Sequence, residues 1–220
     1  IYYNVSENFK DNKANGMALL RLADQKFLQT TPWNYGALSN LYLKISGQIG
    51  DLDMREEALF KHVLLESMHG EAAEALQLVT GFQRKFPRGA YAAVARKVRE
   101  VLVTDVYLNT KWVGNPSALV RFFEEQLDYL SGCVEQPGFL KSITQAYSES
   151  GRPIELIKLL DSLVERQWAA TIAPEMYQEI VDNSELIGDM PRMERVIKTF
   201  LHKYPKDQRS REMTERLGSI

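Results

Sequence analysis

Cysteine is nearly missing from these 220 residues. The single copy, Cys133, permits no internal disulfide and no cysteine-based zinc site, a usage that fits a reducing compartment without excluding an oxidising one. Net charge is nearly missing too. Twenty-seven Lys and Arg against 29 Asp and Glu leave −2, so no global field draws the chain to nucleic acid or to an anionic membrane. Long apolar runs are absent: the richest stretch, Tyr91 to Leu108, is broken by Arg96, Lys97, Arg99, Glu100 and Asp105. It falls short of the roughly 18 consecutive apolar residues that span a bilayer. No Walker-type glycine run and no G-x-G-x-x-G occurs, and the nearest approach, Gly47 to Gly50, reads as a turn between helices. What is present is an ordinary globular supply of apolar residues, 45%, enough for a large core or a stacked array. The expected location is soluble, cytoplasmic or periplasmic, and a chain beginning at Ile1 leaves room for a signal, anchor or domain upstream.

Proline supplies the punctuation, because it is welcome in the first turn of a helix and excluded from its interior. Pro32, Pro116, Pro137, Pro153, Pro174 and Pro191 each stand just ahead of an apolar run and mark helix beginnings. Pro87 and Pro205 instead follow long helical patterns, in Lys85-Phe86-Pro87-Arg88 and Lys203-Tyr204-Pro205-Lys206, and mark endings. Between these marks apolar residues recur at three and four, as in Ile154, Ile157, Leu160, Leu163 and Val164, with no sustained strand-like alternation. The spacing predicts helices over 5–30, 33–48, 52–69, 71–86, 90–111, 116–131, 136–150, 153–167, 173–187 and 190–204, with a short one over 207–217. Short connections make them antiparallel hairpins.

Three windows repeat without gaps. Gly70, Ala75, Val79, Phe82 and Pro87 stand at offsets of 0, 5, 9, 12 and 17, and Gly188, Met193, Ile197, Phe200 and Pro205 stand at the same offsets. Gly151, Leu156, Leu160 and Leu163 give a third copy, with Trp168 in place of the proline. Glycine can take the positive φ of a tight interhelix turn, the three apolar positions share one face of the following helix, and proline stops it. These residues resemble the tetratricopeptide repeat, a helix-turn-helix of 34 residues. Leu140, Ile143 and Tyr147 continue the likeness ahead of Gly151, while Ser184 stands where that family usually has an aromatic and Val181 where it has a small residue. The stretch Phe82 to Ala95 is also similar to tetratricopeptide segments of bacterial envelope-assembly lipoproteins. The resemblance implies an all-α, right-handed α-solenoid of about five hairpins without β-sheet. It would form one domain over 1–220: an atypical hairpin over 1–50, repeats over 52–87, 90–131, 136–168 and 173–205, and a cap over 207–220. Units are longer than 34, with an insertion around Thr110 to Asn115.

Reactive groups are sparse. His62, Glu66 and His69 share one face of a predicted helix and could ligate a metal, but the second copy that such bundle sites need is absent, so packing along a hairpin seam is the expected role. Cys133, in a Ser-Gly-Cys loop, lacks the cationic setting of a reactive thiol. Arg84, Lys85, Arg88, Arg96, Lys97 and Arg99, with no acid among them, could form an anion-binding patch or simply decorate a helix end and a solvated face. Trp33, Trp112 and Trp168 read either as exposed aromatics or as interhelix anchors. No enzyme, catalytic residue, metal or cofactor is expected. The resemblance implies an adaptor that binds a peptide or another protein on a concave face, with Lys141, Gln145, Ser148, Gln178, Asp182 and Glu185 facing inward. The alternative is a structural or oligomerising segment of a larger protein, with possible self-association; nucleic acid is an unlikely partner.

Overall fold

A computed structural model describes residues 13–29, 34–112, 114–166, 168, 170 and 172–220. The described residues are helical, without a strand, and divide into two compact units, 1–109 and 110–220. Unit one holds α1 (Lys13–Gln29), α2 (Tyr35–Gln48), α3 (Leu52–His69), α4 (Ala72–Lys85) and α5 (Ala92–Asn109). Unit two holds α6 (Pro116–Glu125), the short α7 (Ser131–Val134), α8 (Phe139–Glu149), α9 (Pro153–Glu165), α10 (Ala173–Leu186), α11 (Met190–Lys203) and α12 (Ser210–Leu217). Within each unit, helices pack mainly on their neighbours in sequence, as helical repeats do.

The prolines stand where helix chemistry wants them. Pro116 and Pro153 open α6 and α9, Pro174 and Pro191 are second in α10 and α11, and Pro137 lies just ahead of α8. Pro32 and Trp33, like the predicted helical residues 5–12, lie outside the described residues. Phe86 and Tyr204 end α4 and α11 in nearly the same conformation, φ −128 with ψ 62 and 53. Each packs its ring on the phenylalanine one turn back, Phe82 at 5.3 Å and Phe200 at 5.6 Å. The aromatic-proline ending is therefore one local structure used twice.

The turn glycines behave in two ways. Gly151 and Gly188 have φ of +65 and +75, and the following residues, Arg152 and Asp189, donate backbone bonds back to Tyr147 and Ser184. Both are Schellman endings in which glycine relieves the steric cost of the left-handed region. Gly70 does not share this conformation: its φ is −90 and ψ −177. It is small for another reason, since a Cβ there would lie 2.8 Å from the Glu66 carbonyl oxygen.

One predicted helix is broken. The pattern 116–131 stops at Glu125, then passes through a 3₁₀ turn over Leu127–Tyr129 into α7. Buried residues Leu119, Phe123, Leu130 and Val134 keep helical spacing across the break, so periodicity runs through it unchanged. Cys133 accordingly sits on a short helix, fully buried, rather than in a loop. In unit two the core runs from Phe123 and Phe139, edge to face at 5.6 Å, through Ile143, Tyr147 and Leu160 to Met176, Ile197 and Phe200. In unit one Leu20, Ala23, Leu38, Tyr42, Ile45, Met54, Ala58 and Leu65 join α1, α2 and α3.

Candidate functional site

Residues of α1, α2 and α3 line a cleft of about 350 Å³ in unit one. Its walls are Phe27 and Leu28 from α1, and Leu64, Leu65 and Met68 from α3; its floor is Tyr42 with Asp24 and Lys61. Leu28 and Met68 are 82% and 63% exposed, an unusual solvent load of large apolar side chains on one rim. The floor belongs to a ring of four alternating charges. Lys61 Nζ bonds Asp24 Oδ1 and Glu57 Oε1, each at 2.6 Å, and Arg21 reaches Asp24 Oδ2 at 2.5 Å and Glu57 Oε1 at 3.3 Å. Tyr42 donates its hydroxyl to Asp24 at 2.8 Å. Burial pushes the Asp24 carboxyl up, but bonds from Lys61, Tyr42 and Arg21 outweigh it and hold the pKa below the usual carboxylate value. Burial, with the Asp24 bond second, pushes the Tyr42 hydroxyl well above its ordinary range. The four charges neutralise one another, so the cleft offers apolar contact above a polar floor that is already satisfied.

Half of that ring is written in the sequence. Arg21 with Asp24 and Glu57 with Lys61 are opposite-charge pairs at i,i+3 and i,i+4. Spacing gives no sign that the two pairs meet, 37 residues apart, over Tyr42.

Lys141, Gln145 and Ser148 lie exposed along α8, with Gln145 donating to Glu149 at 2.7 Å. On α10, Gln178 is half-buried, while Asp182 and Glu185 are exposed but already engaged. Arg216 of α12 bonds Asp182 Oδ1 at 2.6 Å and Glu185 Oε2 at 2.5 Å. The acidic end is thus held by the chain's own last described helix. The basic residues are also dispersed: Arg96 pairs with Glu100 at 3.6 Å, Arg99 donates to Gln83 at 2.9 Å, and Lys85 lies over the Phe86 ring. Arg84, Arg88 and Lys97 are exposed. Between them the fold inserts an acid from outside the window, Glu56 of α3, whose Oε1 accepts the Tyr91 N–H at 3.0 Å ahead of α5. The Glu56 carboxylate thus lies at the turn between α4 and α5, against Gly89 and Tyr91.

His62, Glu66 and His69 do not converge. Ser39 Oγ lies 2.7 Å from His62 Nδ1 and donates to Glu66 Oε1 at 2.5 Å, so His62 Nδ1 is the donor in the first bond. His69 stacks on Tyr35 with ring centroids 3.7 Å apart. Among the described residues no cluster of three or more His, Cys, Asp or Glu is placed to hold a metal. Serine here bridges the histidine and the acid, whereas a catalytic triad needs the histidine between them. Trp112 packs on Phe122 of α6 at 5.1 Å, whereas the ring contact of Trp168 is local, with Arg166 two residues earlier lying over it at 5.0 Å.

No known family profile matches the chain, and no curated protein matches it. Two similar solved structures are nearly identical TPR-like repeats from Podosopora anserina, assigned to a kinesin light chain, and a point variant of the same protein. Each is 17% identical over 88% of this chain, and 97% and 96% of theirs, with a TM-score of 0.32. A score of that size carries no argument about shape. The tetratricopeptide-like reading rests instead on the chain's own helix pairs, repeated turns and aromatic-proline endings. No described helix is long and apolar enough to cross a membrane.

Proposed function

We propose that this chain is a non-enzymatic protein-interaction module that binds a peptide or partner protein, with the α1–α3 cleft receiving a bulky apolar side chain. The observation that carries the reading is the pairing of two features in one place. Large apolar side chains are left in water on the rim, and the charges beneath them are spent on each other. A catalytic site would want a reactive group aimed into the recess, whereas this floor favours recognition of an apolar anchor. In unit two, Lys141, Gln145, Ser148 and Gln178 supply polar contacts for the same partner class, with Asp182 and Glu185 reachable through Arg216. A self-associating role is the second reading, favoured by the solvent-facing apolar stripe of α5.

Panning a random peptide library against the purified chain tests the first reading. Recovered peptides should share a large apolar residue and lose at least tenfold in affinity on Met68→Asp, a change at an exposed side chain that leaves the core intact. Lys141→Glu should instead weaken those peptides that bind unit two along α8. No enrichment, or peptides indifferent to both variants, would refute it.

A further inference from the structure

Helix α5 is apolar on two opposite faces. One face, Ala95, Leu102, Val103, Val106 and Tyr107, is buried in unit one. On the other, Val94, Val101 and Leu108 are 49%, 68% and 55% exposed. At about 100° per residue these three fall within roughly 20° of one line, opposite the buried face. Val94, Val101 and Leu108 recur at seven, one apolar position per heptad, so they form a stripe narrower than the full two-position seam of a coiled coil. The same stripe carries two exposed charges, Lys97 and Asp105, about 40° to either side of Val101. Lys97 has no ion-pair partner among the described residues. Asp105 takes one bond from the neutral Asn109 amide, which orients the carboxylate and leaves its charge in place.

We propose that this stripe recognises a second copy of the same chain, two α5 helices pairing antiparallel across a twofold axis at Val101. Positions 94 and 108, and 97 and 105, are equidistant from 101. Antiparallel pairing therefore sets Val94 on Leu108 of the second copy and Lys97 on Asp105 of the second copy, twice over, with Val101 meeting itself on the axis. Parallel pairing would set lysine on lysine and aspartate on aspartate, so the charges select the direction. The contact is short, fewer than three heptads, and lies at the low end of interface size, below about 1,200 Å² in total. It gives a weak, concentration-dependent dimer rather than an obligate one.

Sedimentation velocity over a concentration series tests this, with circular dichroism confirming that each surface variant stays folded. Wild type should shift from monomer to dimer, and Val101→Glu, which sets two carboxylates together on the axis, should stay monomeric. Lys97→Glu and Asp105→Lys singly should each weaken the dimer by about tenfold, and the double variant should return to within roughly threefold of wild type. Met68→Asp, in the peptide cleft, should leave the dimer unchanged, which separates this proposal from the peptide reading. A wild type monomeric at every concentration, a dimer indifferent to Val101→Glu, or a double variant no better than the singles would overturn it.

Discussion

The contact most exposed to test is the one between Glu56 and Gly89. A Cβ built on Gly89 would lie 2.0 Å from Glu56 Oε1 and 2.3 Å from both Cδ and Oε2, all far inside any tolerated contact. Glu56 is only 5% exposed, so its carboxylate cannot swing aside into water without giving up the Tyr91 N–H it accepts at 3.0 Å. Losing a buried charge-assisted hydrogen bond costs about 1.5–3 kcal/mol. Replacing glycine by alanine returns about 0.4–1 kcal/mol through the unfolded chain. Gly89→Ala should therefore destabilise unit one by about 1–2 kcal/mol. Hydrogen exchange on peptides from α3, α4 and α5 reads this locally, and the urea midpoint by circular dichroism reads it globally. In a Glu56→Ala background the obstacle is gone, and Gly89→Ala should become neutral or stabilising. A single Gly89→Ala variant as stable as wild type, or one equally harmful in both backgrounds, would refute the reasoning.

Other expectations follow from the same geometry. Gly188→Ala should cost about 1–2 kcal/mol in urea unfolding because φ is +75 there, with Gly188→Asn milder. Burial lowers the His62 pKa below 6.5, with Glu66 and Ser39 offsetting it only in part. The unfolded chain then takes up the proton first, so the His62 contribution is full above 6.5 and is lost as pH falls from 6.5 through the lower folded value. The wild-type urea midpoint should drop over that window more steeply than that of His62→Asn. Tyr42→Phe removes the hydroxyl bond to Asp24 and should cost about 1 kcal/mol. In an NMR titration of that variant the Asp24 carboxyl should rise toward its ordinary value.

Helix positions were readable from the sequence because proline, glycine and the three-four apolar spacing act locally. Pro116, Pro153, Pro174 and Pro191 stand in first turns, and the two aromatic-proline endings share one geometry. Where a long-range contact decides, the sequence is silent. The break after Glu125 keeps helical spacing, and Gly70 resembles Gly188 in register but is small because of Glu66. The basic window around Arg88 contains no acid, yet Glu56 arrives there from 35 residues away in the chain. The ring beneath the cleft shows the same limit: each i,i+3 or i,i+4 pair is local, and their meeting is tertiary. Sites in a helical repeat sit between helices, so the residues that build them are the ones periodicity cannot bring together.

That separation also fixes how a ligand should be felt. Stability in a repeat is close to a sum of neighbour terms, so occupancy of one seam spreads only through helices that touch it. The cleft touches α1, α2 and α3. From α3, Glu56 reaches the start of α5 through the Tyr91 N–H, and Phe60 stacks its ring on Tyr91 at 4.6 Å. An apolar peptide in the cleft should slow hydrogen exchange strongly in α1 to α3 and measurably in the first turn of α5. Glu56→Ala should cut the second effect and spare the first. Protection that stays equal in α5 when Glu56 is removed would place the coupling on Phe60 packing alone, and protection absent from α3 would put the ligand outside the cleft.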